Sequence, residues 1–192
     1  MFSLITTLKM PSDVEMNDEQ FFKFCQINRD LRIERKKNGD IIIMTPSGSE
    51  TGNRNVSITA QLWNWAERDG TGIAFDSSTG FKIGGATMSP DASWIKLERW
   101  NALSREEQIK FAPICPDFVV ELRSPSDNLQ PLKEKMEIYR EEGAKLGWLI
   151  DRKNRKIYIY RPECSVECLE NPNTVSGGSV LPGFILDLSK VW

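Results

Sequence analysis

Apolar residues recur at helical intervals in three stretches of the chain. The predicted helices are residues 17–28, 53–67 and 131–142, each with apolar side chains three or four positions apart. Asn53 is expected to cap the second helix, which carries apolar residues on two faces and should therefore be buried on most sides. Pro131 suits the first turn of the third helix, and Gly143 should end it.

Shorter apolar runs predict strands. Residues 31–35 and 40–44 flank Asn38-Gly39, the strongest two-residue turn signal, and predict a β-hairpin. Further strands are predicted at residues 73–77, 81–83, 91–95, 118–122, 147–151 and 156–161, with a polar helical insertion at 104–110. This order predicts an α/β (α+β) fold in one domain over residues 1–192. A mixed central sheet would be flanked by helices, with an N-terminal helix and hairpin as an extension.

The absence of histidine narrows the possible chemistry more than any other feature of the composition. Histidine is the usual general base, zinc ligand and member of a catalytic triad, and the 192 residues contain none. Carboxylates, lysines and a hard metal ion remain. The formal net charge of −2 argues against a protein that coats nucleic acid, but a nuclease with a local positive field or a bound ion is compatible with it.

Cellular location and thiol state are predicted from further absences. The N-terminus lacks the basic start and cleavage site of a signal peptide. No apolar run approaches the roughly 18 residues of a membrane span, so we expect a cytoplasmic protein with no membrane segment. The four cysteines form no CxxC pair, so no zinc site is expected and the thiols should be reduced.

Two acidic residues stand in runs that should be buried. Glu121 lies within the apolar run 118–122, where an unpaired charge is costly, and Asp91 opens the apolar run 91–95. On neighbouring strands about 5 Å apart, their carboxylates could share a Mg²⁺ ion. Asp117 is the rival aspartate, but a strand would separate it from Glu121 by roughly 13 Å. We therefore interpret Asp117 as a turn acceptor at the strand entry.

Two further candidates have alternative interpretations. Lys135 falls within the apolar stripe of the third predicted helix. Either its stem packs while the ammonium group reaches solvent, or the ammonium group points at the carboxylate pair. Glu50 precedes the second predicted helix, where it could stabilise the helix N-terminus or act as a catalytic acid. Arg54 and Asn55 in the first turn could instead contact phosphate.

Three segments together resemble a known family. They are Ser89-Pro-Asp-Ala-Ser-Trp-Ile, Pro116-Asp-Phe-Val-Val-Glu-Leu-Arg-Ser-Pro-Ser-Asp and the run from Leu132 to Asp151. This combination resembles the Uma-type restriction-endonuclease-like proteins, a family abundant in cyanobacteria within the PD-(D/E)XK nuclease superfamily. The resemblance covers most of the chain, from the loop at residues 44–50 to residues 181–184, and implies a restriction-endonuclease-like fold.

The resemblance also implies roles for individual residues. Asp91 and Glu121 would be the metal ligands, and Glu50 would be the acid contributed by the first core helix. The superfamily's usual lysine stands two positions after the glutamate, where this chain has Arg123, which cannot accept a proton. In the family, the matching lysine lies on the following helix and corresponds to Lys135. Either Lys135 or Arg123 is therefore expected to contact the scissile phosphate.

The predicted activity is endonuclease cleavage of nucleic acid, with DNA as the expected substrate. Mg²⁺, or Mn²⁺ in its place, would activate water and neutralise charge in the transition state. The alternative is a catalytically decayed nuclease-fold module that binds nucleic acid or a protein partner, which Arg123 and the negative net charge favour. A homodimer would suit the cutting of two strands.

Overall fold

The computed structural model describes residues 6–11, 13–125 and 127–192. Its helices are α1 (Asp18–Ile27), α2 (Ser49–Asp69), α3 (Leu97–Asn101), α4 (Arg105–Ile109) and α5 (Leu129–Glu141). Its strands are β1 (Thr6–Leu8), β2 (Arg32–Arg35), β3 (Ile41–Met44), β4 (Gly72–Asp76), β5 (Phe81–Ile83), β6 (Ala86–Met88), β7 (Ala92–Lys96), β8 (Phe118–Arg123), β9 (Leu146–Asp151), β10 (Lys156–Tyr160), β11 (Glu167–Glu170), β12 (Thr174–Ser176) and β13 (Ile185–Asp187).

A six-stranded mixed sheet lies at the centre, in the order β11-β10-β9-β8-β7-β4. The strands β8 and β9 pair in parallel, and the other neighbours are antiparallel. Parallel neighbours need a crossover connection, which α5 supplies. All of β9, and all of β8 except Arg123, is buried, which explains why both read as continuous apolar runs. The predicted mixed sheet and the predicted adjacency of β7 and β8 are both confirmed.

The two faces of this sheet carry different helices. On one face, Ile58 and Leu62 of α2 share a buried cluster with Phe118 and Trp148. On the other face, Met136 and Tyr139 of α5 are buried with residues of β8 and β9. The side chains of β8 therefore point alternately toward α2 and toward α5.

A second sheet has the order β1-β3-β2-β6-β5. Its β2–β3 hairpin confirms the predicted one, and Gly39 in the turn has a φ of 87°, a conformation that glycine adopts readily. The helix α1 is also confirmed, with Asn17 and Gln20 forming a capping box. Because β2 pairs with β6, which runs directly into residues 89–91, this sheet brings charged residues of β2 close to Asp91.

The start and the burial of α2 differ from prediction. The helix begins at Ser49 after Gly48, so Asn53 lies inside it and is not its cap. The prediction of burial on most sides is also wrong, because Val56 and Trp63 are 66% and 52% exposed. The buried cluster between α2 and the central sheet includes Ile58, Leu62 and Trp65 of the helix, and Val56 and Trp63 lie outside it.

Several elements were not predicted from the sequence. They are β1, β6, α3 and β11–β13, each three to five residues long and therefore too short to show a repeat. Among the described residues, no helix is both long and apolar enough to cross a bilayer.

Candidate active site

Asp91 and Glu121 lie opposite each other on neighbouring strands. The pairing of Ala92 with Val120 places Asp91 across from Glu121, and the backbone N–H of Asp91 donates to the carbonyl of Val120 at 3.0 Å. Directly opposed residues have Cβ atoms about 5 Å apart and share a face of the sheet. Asp91 Oδ2 also accepts from the backbone N–H of Leu122 at 2.9 Å, which fixes the carboxylate against β8.

Glu121 is an acid in an environment that disfavours its charge. Its side chain faces α5 and is 5% exposed. Oε1 accepts from the hydroxyl of Tyr139 at 3.0 Å and lies 2.8 Å from Lys135 Nζ. Burial raises the pKa of Glu121 to about 7, and the carboxylates of Asp91 and Glu34 contribute, although Lys135 opposes the rise. A second cation beside this carboxylate would therefore be stabilising.

Lys135 points inward from α5 and has three acceptors. Its Nζ lies 2.8 Å from Glu121 Oε1, 3.0 Å from Glu34 Oε1 and 3.2 Å from the carbonyl oxygen of Ser89. Burial opposes its charged form, but the two carboxylates outweigh this effect and raise the pKa of Lys135 above its ordinary value. A lysine ammonium group has three N–H donors, so all of them are engaged.

Glu34 belongs to this cluster and was not identified from the sequence. It is 5% exposed, and its Oε1 also accepts from the backbone N–H of Ser89 at 2.8 Å. In the sequence, Glu34 stands at a polar position in a strand of alternating apolar and polar residues, and this pattern predicts a solvent-facing side chain. Both faces of β2 are covered in the fold, as shown by buried Ile33 and Glu34, so the alternation carried no signal for burial.

Arg32 is the other cation of the cluster, and it too was missed. Nη1 lies 3.5 Å from Asp91 Oδ1, and Nη2 donates to the carbonyl of Ser89 at 3.0 Å. Burial opposes the charge of Arg32, yet the carboxylates of Asp91, Glu121 and Glu34 raise its pKa. The cluster therefore contains three carboxyl groups and two cations.

The helix α2 contributes Asn55 to this cluster. Its Nδ2 lies 3.5 Å from Asp91 Oδ1, at the outer limit of a hydrogen bond. Its Oδ1 is buried and has no hydrogen-bond partner among the described residues. A buried amide oxygen without a donor is costly, so this position is suited to a water molecule or a cation. The phosphate contact considered for Asn55 from the sequence remains a prediction.

Glu50 and Arg123 have other partners. Glu50 lies in the first turn of α2, and its side chain is 63% exposed beside Arg54 at 2.8 Å and Arg152 at 3.3 Å. Arg123 is on the same face of β8 as Glu121, but Nη1 contacts the buried Asp151 at 2.9 Å. Among the described residues, no hydrogen bond or ion pair joins Glu50 or Arg123 to the carboxylate pair. Their catalytic roles remain predictions.

Asp117 lies at the opposite end of β8. Oδ2 accepts from the backbone N–H of Lys96 at 2.9 Å, and Oδ1 pairs with Arg99 at 2.7 Å. Lys96 ends β7 and Arg99 lies in α3, so these contacts join the entry of β8 to the end of β7 and to the helix that follows it. An acceptor at the strand entry is the role that the sequence suggested for Asp117.

Comparison with known proteins gives this arrangement a context. A family model described as "Uma2: Putative restriction endonuclease" matches residues 18–189. The chain belongs to the Uma2 family. This confirms the resemblance inferred from the sequence motifs.

The fold of this Uma2 protein is similar to a solved structure. It is the crystal structure of "a putative nuclease belonging to DUF820 from Anabaena variabilis ATCC 29413", with a TM-score of 0.72 and 20% sequence identity. The match covers 92% of this chain and 97% of that one. It supports the predicted nuclease-type fold. No curated protein matches the chain.

A divalent ion fits the residues at the site. Among the described residues, no group of three or more histidine, cysteine or acidic side chains is placed to hold a metal ion. Mg²⁺, however, is usually held by only one or two carboxylates, with water and substrate phosphate completing its shell. Asp91 and Glu121 supply such a pair of hard oxygen donors. The raised pKa of Glu121 and the unpaired Oδ1 of Asn55 both indicate that a positive charge beside them would be stabilising.

Proposed function

We propose that this Uma2 protein is a divalent-metal-dependent endonuclease that hydrolyses phosphodiester bonds in DNA. The observation that carries the proposal is the pairing of Asp91 with a buried Glu121 whose pKa is raised to about 7, beside a charged lysine. Strongly perturbed acids beside a specific charged partner are typical of catalytic sites. Family membership and the nuclease fold support the same conclusion.

The three carboxyl groups and Lys135 have distinct parts in this proposal. Asp91 and Glu121 would hold Mg²⁺ or Mn²⁺, which supplies an activated water and neutralises charge developing on the phosphate. Lys135 holds Glu121 in place through its ammonium group and favours the ionised carboxylate. Glu34 and Ser89 hold Lys135 in turn. Tyr139, on the same helix as Lys135, donates a second hydrogen bond to Glu121 Oε1.

Cleavage of labelled duplex DNA tests the proposal directly. The protein treated with chelator should be inactive and should recover with added Mg²⁺ or Mn²⁺. Asp91→Asn and Glu121→Gln should each lose activity while keeping the fold. Glu141→Gln is a matched control, because it removes the same charge from an exposed position on α5. Undiminished cleavage in chelator would refute the mechanism.

A binding module without catalysis is the second candidate. The observation in its favour is that Arg32 and Lys135 already neutralise two of the three carboxyl groups, so the cluster could be stable without an ion. Calorimetric titration with Mn²⁺ separates the two candidates, since the module should bind no ion at this site. Loss of the binding signal in Glu121→Gln would assign the ion to the site.

A further inference from the structure

The two cations of the carboxylate cluster differ in what they can still bind. Lys135 has each of its three N–H donors within 3.2 Å of an acceptor, and its side chain is 16% exposed. It could donate to a substrate phosphate only by releasing Glu121, Glu34 or Ser89. Arg123 is also engaged, with Nη1 on Asp151 and Nε donating to the carbonyl of Asp127.

Arg32 is the cation with free hydrogen-bonding capacity. An arginine carries five N–H donors, and the one hydrogen bond described for Arg32 runs from Nη2 to Ser89. Its Nη1 stands 3.5 Å from Asp91, longer than a normal ionic hydrogen bond. Its Nε has no partner among the described residues but is buried, so the donors left for a ligand are those of Nη1 and Nη2.

Arg32 is also the charged group of the cluster that solvent reaches most easily. Its side chain is 30% exposed, compared with 13% for Asp91 and 16% for Lys135. Glu34 and Glu121 are buried more deeply still. A substrate that approaches the carboxylate pair would therefore meet Arg32 before any other charged group of the cluster.

We infer that Arg32 is the residue that contacts the phosphate under attack, in the role that the motif position would otherwise give to Arg123. This inference rests on the proposed nuclease function. A guanidinium group offers two parallel donors to phosphate oxygens and keeps its charge at any working pH. Ser89 holds Nη2 and so orients the remaining donors. A fixed cation beside the reacting phosphate stabilises the charge that develops there.

The test compares Arg32→Ala and Arg32→Lys with a matched control, Arg29→Ala. Arg29 is exposed, and its Nε donates to the carbonyl of Gln26, so this control removes a nearby arginine outside the cluster. Single-turnover cleavage should fall about 100-fold or more in Arg32→Ala, the scale of losing one preorganised donor. Arg32→Lys should recover part of the rate, because lysine restores the positive charge but cannot form the bidentate contact with phosphate. Arg29→Ala should cleave like the unmodified protein.

Salt dependence of binding supplies a readout that a merely structural residue would not change. DNA affinity is measured in Ca²⁺, under conditions shown to give no cleavage, over a series of salt concentrations. Loss of one phosphate contact should reduce the slope of log affinity against log salt by about 0.9. Arg32→Ala should show this reduction and Arg29→Ala should not. Mn²⁺ affinity and thermal stability should be retained in Arg32→Ala.

The possible failures are distinguishable. If the unmodified protein cleaves DNA and binds Mn²⁺, but Arg32→Ala keeps both rate and slope, the inference about Arg32 is wrong and the proposed function stands. A variant that instead melts early or loses Mn²⁺ binding would assign Arg32 a structural role and also overturn the inference. If the unmodified protein neither cleaves DNA nor binds Mn²⁺, the proposed function fails and the inference fails with it.

Discussion

Glu121→Gln should stabilise the metal-free protein, and the gain should grow with pH. The pKa of Glu121 is raised from 4.5 to about 7, chiefly by burial. Below pH 4.5 both the folded and the unfolded chain hold the proton. Between pH 4.5 and about 7 only the unfolded chain releases it, so the free energy of unfolding falls as pH rises. Above about pH 7 this loss is complete.

The size of the effect follows from the shift. A difference of about 2.5 pKa units corresponds to about 3 kcal/mol, with 1.36 kcal/mol for each unit. Glutamine keeps an oxygen that can accept from Tyr139 and cannot ionise. The gain of the variant over the unmodified protein should therefore be about 2 to 3 kcal/mol larger at pH 8.5 than at pH 5. This corresponds to about 5 to 10 °C in melting temperature.

Urea unfolding in chelator, followed by tryptophan fluorescence across this pH range, measures the difference. Glu141→Gln is again the control, because its exposed carboxylate has little to gain from losing its charge. Added Mg²⁺ should narrow the gap, since it stabilises the unmodified protein in proportion to its binding. If Glu121→Gln is instead less stable than the unmodified protein by the same amount at every pH, ionisation of Glu121 does not destabilise the fold and the prediction is refuted.

Three further predictions concern Lys135, Arg123 and the binding of the metal ion. Lys135→Ala should lower the single-turnover rate about 100-fold. It should also move the rising limb of the pH–rate profile to higher pH, because Lys135 lowers the pKa of Glu121. Lys133→Ala on the same helix is the control, and an unchanged profile in Lys135→Ala would contradict the assignment. Arg123→Ala should lower the free energy of unfolding in urea by about 3 kcal/mol, because it leaves the buried Asp151 without its cation. Loss of DNA affinity at full stability would instead support a contact between Arg123 and phosphate. Mn²⁺ binding, measured by calorimetry, should be about tenfold weaker at pH 6 than at pH 8, because a proton on Glu121 competes with the ion. An affinity that does not change with pH would place the ion elsewhere.

Local pattern alone was sufficient for the parts of the site that lie in strongly apolar segments. Glu121 and Asp91 could be predicted because a charge inside an apolar strand is anomalous wherever the strand packs. For Lys135 the apolar stripe left two interpretations open, and the ion pairs with Glu121 and Glu34 show that its ammonium group points at the carboxylates. Their adjacency is confirmed by the antiparallel pairing of β7 with β8.

Only the tertiary structure decided which cations and acids complete the cluster. Glu34 and Arg32 alternate with apolar residues in a way that is typical of an exposed strand. Glu34 is buried and Arg32 is half-buried because the second sheet packs beside residues 89–91. Arg123 meets Asp151 because β8 and β9 pair in parallel register, which involves residues far apart in sequence. Periodicity reports which side of an element is apolar. It carries no information about which charged residues of distant elements will share that side, because their contacts depend on how the sheets and helices pack together.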